Sequence, residues 1–174
     1  MRARARRGMA SWGHEEHRRA DPIAVTTLLV VHHTPSPRMQ TMLEAVLAGA
    51  NDDAIEGVDV VVRPALSAGP ADVLAADGIL LGTPANIGYM SGALKHFFDQ
   101  IYYPVLEATA GLPYALWVSG DNDTAGAESS VERIATALRW RRMQAPLRLV
   151  DMTDAAAHDA CAELGALAAA TLMQ

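Results

Sequence analysis

Three short stretches of this chain combine small, uncharged and hydrogen-bonding residues in a pattern that suits a flat polar ligand with an anionic end. The densest is Gly82 to Gly88, reading GTPANIG. Its glycines allow close backbone approach, while Thr83, Asn86 and, just beyond, Ser91 offer donors and acceptors without fixed charge. A heterocycle with several carbonyls and ring nitrogens would be read well by such a surface. The plainer reading of the same residues is a tight connection capped by Ser91. A second stretch, His32 to Arg38 (HHTPSPR), precedes Met39, Met42, Leu43, Val46 and Leu47 at helical spacing. Amide groups at the start of that helix, its dipole and the loop hydroxyls could hold a phosphate. Pro35 and Pro37 carry no N–H, so two potential donors are absent, and Arg38 offers a charged, bidentate fork in their place. A proline-stiffened helix start is the alternative there. The third stretch is Ser119 to Gly126 (SGDNDTAG), where Gly120, Asn122 and Gly126 have the same small, polar character. Asp121 and Asp123 add negative charge, and they should point away from any ring that carries negative charge itself.

No side chain stands out as an acid, base or nucleophile. Neither Ser119 nor Cys161 has a base nearby in a recognisable motif. His32 and His33 are neighbours on a strand and so face opposite ways, which argues against a metal site between them.

The elements that must position these stretches alternate along the chain. Val25 to Val31, Asp59 to Arg63, Ile79 to Leu81, Tyr114 to Val118 and Pro146 to Val150 read as strands, β-branched or continuously apolar. Between them lie helical patterns: the one from Met39, a short one with Val73 and Leu74, one from Ser91 with Leu94, Phe97, Phe98 and Ile101 on one side, and one with Val131, Ile134, Ala135 and Leu138. A closing helix covers Ala155 to Leu172. Tyr102-Tyr103-Pro104 reads as the start of a longer connection, its aromatics suited to a substrate entrance or a dimer interface. Apolar runs of this kind belong in a parallel sheet covered on both faces, and ligands of such sheets sit at the carboxyl edge of the strands. All three polar stretches follow strands at that edge.

The remaining 155 residues after the first nineteen carry a formal charge of −10, whereas those nineteen hold six arginines against two glutamates, a formal +4. An acidic globular part argues against nucleic-acid binding. We expect residues 1–22 to be a basic extension outside the fold and residues 23–174 to form one domain. With 51% hydrophobic residues the chain can bury a sizeable core. No apolar run reaches the roughly 18 residues of a membrane span, and the expected location is cytoplasmic. The basic cluster Arg139, Arg141, Arg142 and Arg148 reads as a solvated helix end, or as a contact for a nucleotide phosphate.

The run GTPANIGYMSGALKHFFD, residues 82–99, resembles the second flavin-contacting loop and following helix of the flavodoxin-like superfamily, in particular its NADPH-dependent FMN reductase branch. The first stretch is similar to that superfamily's phosphate loop, Ser/Thr-x-Ser/Thr-Gly-x-Thr, with Thr34 and Ser36 at the hydroxyl positions, Pro37 in place of the Gly and Met39 in place of the last Thr. The third resembles its Gly-containing loop at the pyrimidine edge. The fold this resemblance implies is a three-layer, doubly wound, five-stranded parallel sheet in the order 2-1-3-4-5. The implied cofactor is noncovalent FMN. Thr34, Ser36, Arg38 and Met39 would serve the phosphate, Thr83, Pro84, Ala85, Asn86, Ile87 and Gly88 the ring, and Ser119, Gly120, Asn122 and Gly126 its third edge. NAD(P)H would be the reductant, and a quinone, a flavin or a redox protein the acceptor. Homodimers are common in that family, although no residue here requires one. Two further readings stay open: an electron carrier without NAD(P)H activity of its own, and a flavin-free interaction module, for which the two prolines speak.

Overall fold

The computed structural model describes residues 25–150 and 152–173; the expected basic extension lies outside them. Its elements run β1 (Thr26–His32), α1 (Pro37–Ala50), β2 (Val58–Pro64), α2 (Pro70–Leu74), β3 (Gly78–Asn86), β4 (Tyr89–Met90), α3 (Gly92–Val105), β5 (Pro113–Ser119), α4 (Ala125–Ala137), β6 (Arg141–Arg142), β7 (Leu147–Leu149) and α5 (Asp154–Ala170). The strands pair in the order β2-β1-β3-β5, with β6 and β7 both parallel to β5. This is the expected doubly wound arrangement.

Residue alternation along the strands builds the three layers. Leu28, Val30, Leu80, Ala115 and Trp117 face α1 and α5, while Leu29, Val31, Ile79, Leu81, Leu116 and Val118 face α2, α3 and α4. On the first face α1 and α5 meet at backbone distance. A Cβ on Gly165 would lie 1.9 Å from the Val46 carbonyl oxygen, and one on Gly49 would lie 1.9 Å from that of Ala162.

Three expectations need correction. The sheet has seven strands rather than five: β4 adds a short antiparallel strand beside β3, and the fifth position is divided, since Arg141 pairs with Pro113, Leu147 with Trp117, and the chain between them leaves the ladder near Pro146, which has no N–H to give it. The segment read as a turn from Gly82 is mostly strand. Gly82, Thr83 and Pro84 continue in register with Trp117, Val118 and Ser119, and Ala85 and Asn86 then pair antiparallel with Met90 and Tyr89. Lastly, Tyr102, Tyr103 and Pro104 belong to the last turn of α3 rather than to a connection.

The two helices that follow the first two polar stretches are capped as their sequences suggest. Ser36 Oγ accepts from Met39 N–H at 3.3 Å with Pro37 beginning α1, and Ser91 Oγ accepts from Leu94 N–H at 3.2 Å.

Candidate functional site

The loops after β1, β3 and β5 converge at the carboxyl edge of the sheet on one cavity of about 260 Å³. Pro35, Ser36, Arg38 and Met39 line it from the first loop, Pro84, Ala85 and Asn86 from the second, and Ser119, Gly120 and Asp121 from the third. The strand order makes this convergence necessary: β1 and β3 are neighbours whose following helices leave toward opposite faces, so a crevice opens between their ends.

Six of the expected residues take other positions. Thr34 Oγ1 lies 3.1 Å from His32 Nδ1 and donates to Gln40 Oε1 at 3.2 Å. Thr83 is fully buried; its hydroxyl accepts from Ser91 N–H at 3.0 Å and donates to the Pro84 carbonyl at 2.9 Å, so it braces the loop from inside. Ile87 and Gly88 form the tip of the β3–β4 hairpin. Gly126 packs against that tip, where a Cβ would lie 2.0 Å from the Gly88 carbonyl oxygen. Asn122 is exposed on the third loop.

The hairpin is held from below by α4. Met90 N–H donates to Ser130 Oγ at 3.4 Å, and that hydroxyl donates to the Ala127 carbonyl at 2.7 Å. Its two tip residues both have positive φ, 51° at Ile87 and 69° at Gly88, the combination of a type I′ turn. Glycine adopts this freely, whereas a β-branched residue there costs about 1–2 kcal/mol. Ile87 is also wholly exposed. An Ile87→Asn variant is therefore expected to be more stable by about 1 kcal/mol in urea denaturation. Loss of ligand affinity in that variant would show that the strained aliphatic tip is kept for contact with a bound ring.

The third loop is fixed from the other side. Glu128, buried in the first turn of α4, takes both arms of the Arg148 guanidinium from β7, one at 2.8 Å. Arg142 pairs with Glu132, and Arg139 pairs with Glu107. Three of the four arginines of the basic cluster are thus engaged with carboxylates. Asp123 turns toward α4 and accepts from Ala125 N–H at 2.8 Å. Asp121, expected to point away, instead lines the cavity.

The donor set suits a neutral, flat, polar ring. Gly120 is part of a cradle that a side chain would fill, since a Cβ there would lie 3.1 Å from the Asp123 carbonyl oxygen and 3.2 Å from Ala85 Cβ. The phosphate end is thinner. Arg38 Nε lies 3.2 Å from an Asp154 carboxylate oxygen, and its Nη2 donates to the Met152 carbonyl at 3.2 Å. Sequence reasoning missed these partners on the far side of the chain.

Beside the first loop, burial, and after it the charge of His33, hold the His32 imidazole below its ordinary value of 6.5. The unfolded chain then takes up the proton more readily than the folded one. Stability from this group is complete above pH 6.5 and is lost as the pH falls below it. Replacing His32 by Gln is expected to flatten the stability curve in that acid window, as chemical denaturation at stepped pH would read. Cys161, by contrast, is a buried thiol pushed up to about 12 by desolvation, which leaves it inert at neutral pH.

Both the order of the sheet and this edge-on cavity define a flavodoxin-like protein, and solved structures agree. A flavodoxin from the domain Archaea superposes with a TM-score of 0.70 at 19% identity, over 84% of this chain and 98% of that one. A WrbA-like flavodoxin of Agrobacterium tumefaciens does so with a TM-score of 0.66 at 20% identity, over 84% and 96%. The chain belongs to the NADPH-dependent FMN reductase family, whose model matches residues 43–155. That match begins inside α1, after the first loop. Among curated proteins, a flavodoxin of Aquifex aeolicus (strain VF5) is 36% identical over 74 residues, 42% of this chain and 39% of the relative. An NAD(P)H dehydrogenase (quinone) of Acidithiobacillus ferrooxidans is 29% identical over 96 residues, 44% and 47% respectively. The chain thus spans less than half the length of these two relatives.

Proposed function

We propose that the chain binds FMN noncovalently in the three-loop cavity and transfers hydride or electrons from NAD(P)H to a quinone or flavin acceptor. The observation that carries this reading is the convergence of the stretches at the ends of β1, β3 and β5 on one crevice, lined by Ser36, Asn86, Ser119 and Gly120 with Arg38 at one end. Ser36, Arg38 and the amides around them are assigned to the phosphate, with Thr34 and Met39 supporting the loop. Pro84, Ala85 and Asn86 meet the ring, and the tip Ile87-Gly88 and the brace Thr83 set the platform's height. Ser119 and Gly120 serve the pyrimidine edge, and Asn122 and Gly126 hold the third loop and the hairpin. The isoalloxazine supplies the redox chemistry when bound, and the protein's part is to place it, exclude water beneath it and shape access to it. Residues 23–174 act as the single flavin-binding unit.

A carrier without NAD(P)H activity is the second reading, supported by the flavodoxin of Aquifex aeolicus as a relative. Among the described residues no helix is long and apolar enough to cross a membrane. One experiment separates them. The protein is mixed with FMN, desalted and its spectrum recorded, and NADPH is then added anaerobically. Flavin bands that bleach with NADPH support the oxidoreductase. Bands that persist with NADPH and bleach with dithionite favour the carrier. A protein that neither retains flavin nor binds it on titration refutes both.

A further inference from the structure

We infer that the site distinguishes FMN only weakly from flavins that lack a phosphate, so that riboflavin is a ligand of comparable affinity, because the one cation of the phosphate loop is held by Asp154. The inference rests on the flavin reading above and concerns which flavins that site accepts.

The donors of the first loop can be followed one by one. Pro35 and Pro37 have no N–H, and the N–H of Met39 goes to Ser36 Oγ. That leaves the amides of Thr34, Ser36 and Arg38 as backbone donors to an anion. The two hydroxyls differ: the Thr34 hydroxyl donates to Gln40, whereas Ser36 Oγ accepts from Met39 N–H as the cap of α1 and keeps its own proton for an anion. The Arg38 guanidinium is engaged twice at the start of α5, by the Asp154 carboxylate and by the Met152 carbonyl, each at 3.2 Å. An incoming phosphate must therefore compete with a carboxylate for the charge that would recognise it. A second carboxylate, Asp121, lines the same cavity. The ring-reading end has no such deficit, since Pro84 to Asn86 and Ser119 to Gly120 line the cavity beside the backbone of two strand ends.

The magnitudes decide the outcome. Each charge-assisted hydrogen bond is worth roughly tenfold or more in affinity, so a phosphate held by three or more of them separates FMN from riboflavin by over about a thousandfold. Here three amides, the Ser36 hydroxyl and the helix dipole are set against Asp121 and Asp154, whose repulsion of a phosphate offsets much of that gain, and the net preference should be small.

The test is a pair of dissociation constants, for FMN and for riboflavin, read by quenching of flavin fluorescence at low ionic strength on the full chain. The two values are expected to lie within about tenfold of each other. An Asp154→Asn variant, which releases Arg38, is expected to tighten FMN about five- to tenfold and to leave riboflavin unchanged. That gain should vanish in Arg38→Gln/Asp154→Asn, which separates release of the guanidinium from simple removal of a negative charge. A preference for FMN well beyond tenfold in the native chain, or no gain in Asp154→Asn, overturns the inference while leaving the flavin site standing. Failure of both flavins to bind at millimolar concentration overturns the flavin reading itself, and the inference with it.

Discussion

A Gly126→Val variant is expected to fold yet to bind flavin at least tenfold more weakly than the native chain, a loss of about 1.4 kcal/mol or more. Gly126 lies in the first turn of α4, and its missing Cβ leaves room for the Gly88 carbonyl oxygen, 2.0 Å from where that carbon would be. No rotamer relieves such a contact, because the Cβ position is fixed by the backbone that bears it and its partner is a backbone oxygen. Either the hairpin tip rises from α4 or the helix withdraws from the hairpin. Moving the tip also strains the Met90 to Ser130 hydrogen bond that ties the hairpin's return strand to α4. Ala85 and Asn86 travel with the tip, and they form the cavity's wall on that side. Overpacking of this kind typically lowers stability by about 1–3 kcal/mol, so the variant should remain folded at room temperature. Thermal unfolding with and without FMN separates the two effects. Native-like flavin affinity in a destabilised Gly126→Val would mean that the hairpin is no platform for the ring.

The largest loss of stability is expected from Gly165→Val. Its Cβ would sit 1.9 Å from the Val46 carbonyl oxygen and 3.0 Å from Ala50 N, so α1 and α5 must separate to admit it. These two helices cover one whole face of the sheet, and their separation opens the cluster that includes Met42, Leu43, Cys161 and Leu164. We expect a loss of about 3 kcal/mol or more, seen as a lower urea midpoint at unchanged slope. Gly49→Val should behave alike, since it meets the Ala162 carbonyl at the same crossing. The double variant should fall short of the sum, because one displacement of the helices accommodates both side chains. Full additivity would indicate that each site relaxes locally instead.

Much of this architecture could be read from residue order. The continuous apolar runs at β1, β3 and β5 specify strands buried on both faces, and Ser36 and Ser91 sit where helix caps are needed. Other features depend on partners distant in sequence. The hairpin of β3 and β4 escaped because its turn uses Ile87 at a position that normally takes Asn, Asp or Gly, and its return strand is two residues long. Arg141-Arg142 reads as a charged helix end, and it is a strand because the carbonyls of Leu112 and Tyr114 accept from Arg141 N–H at 2.9 Å and Met143 N–H at 2.8 Å. At the site, the polar loops were evident from composition, whereas the direction of each side chain was not. Thr83 faces inward because the strand continues past the expected turn, and alternation then decides its side. Arg38 spends its charge on a carbonyl 114 residues away, a pairing that no local pattern encodes.

The divided fifth position has a bearing on solubility. A parallel sheet ends in two rows of unpaired backbone groups, and a long flat edge is a template on which another chain can add itself. Here, among the described residues, one edge consists of a two-residue and a three-residue strand with Pro146 between them. The other, β2, carries Asp59 and Arg63 and closes on Pro64. The broken rim offers no run of donors and acceptors long enough for a second molecule to extend the ladder, whereas β2 keeps a seven-residue edge on which charge and a proline discourage pairing. The irregularity that sets this sheet apart from an even five-stranded one thus guards one of its two rims against fibrous self-association.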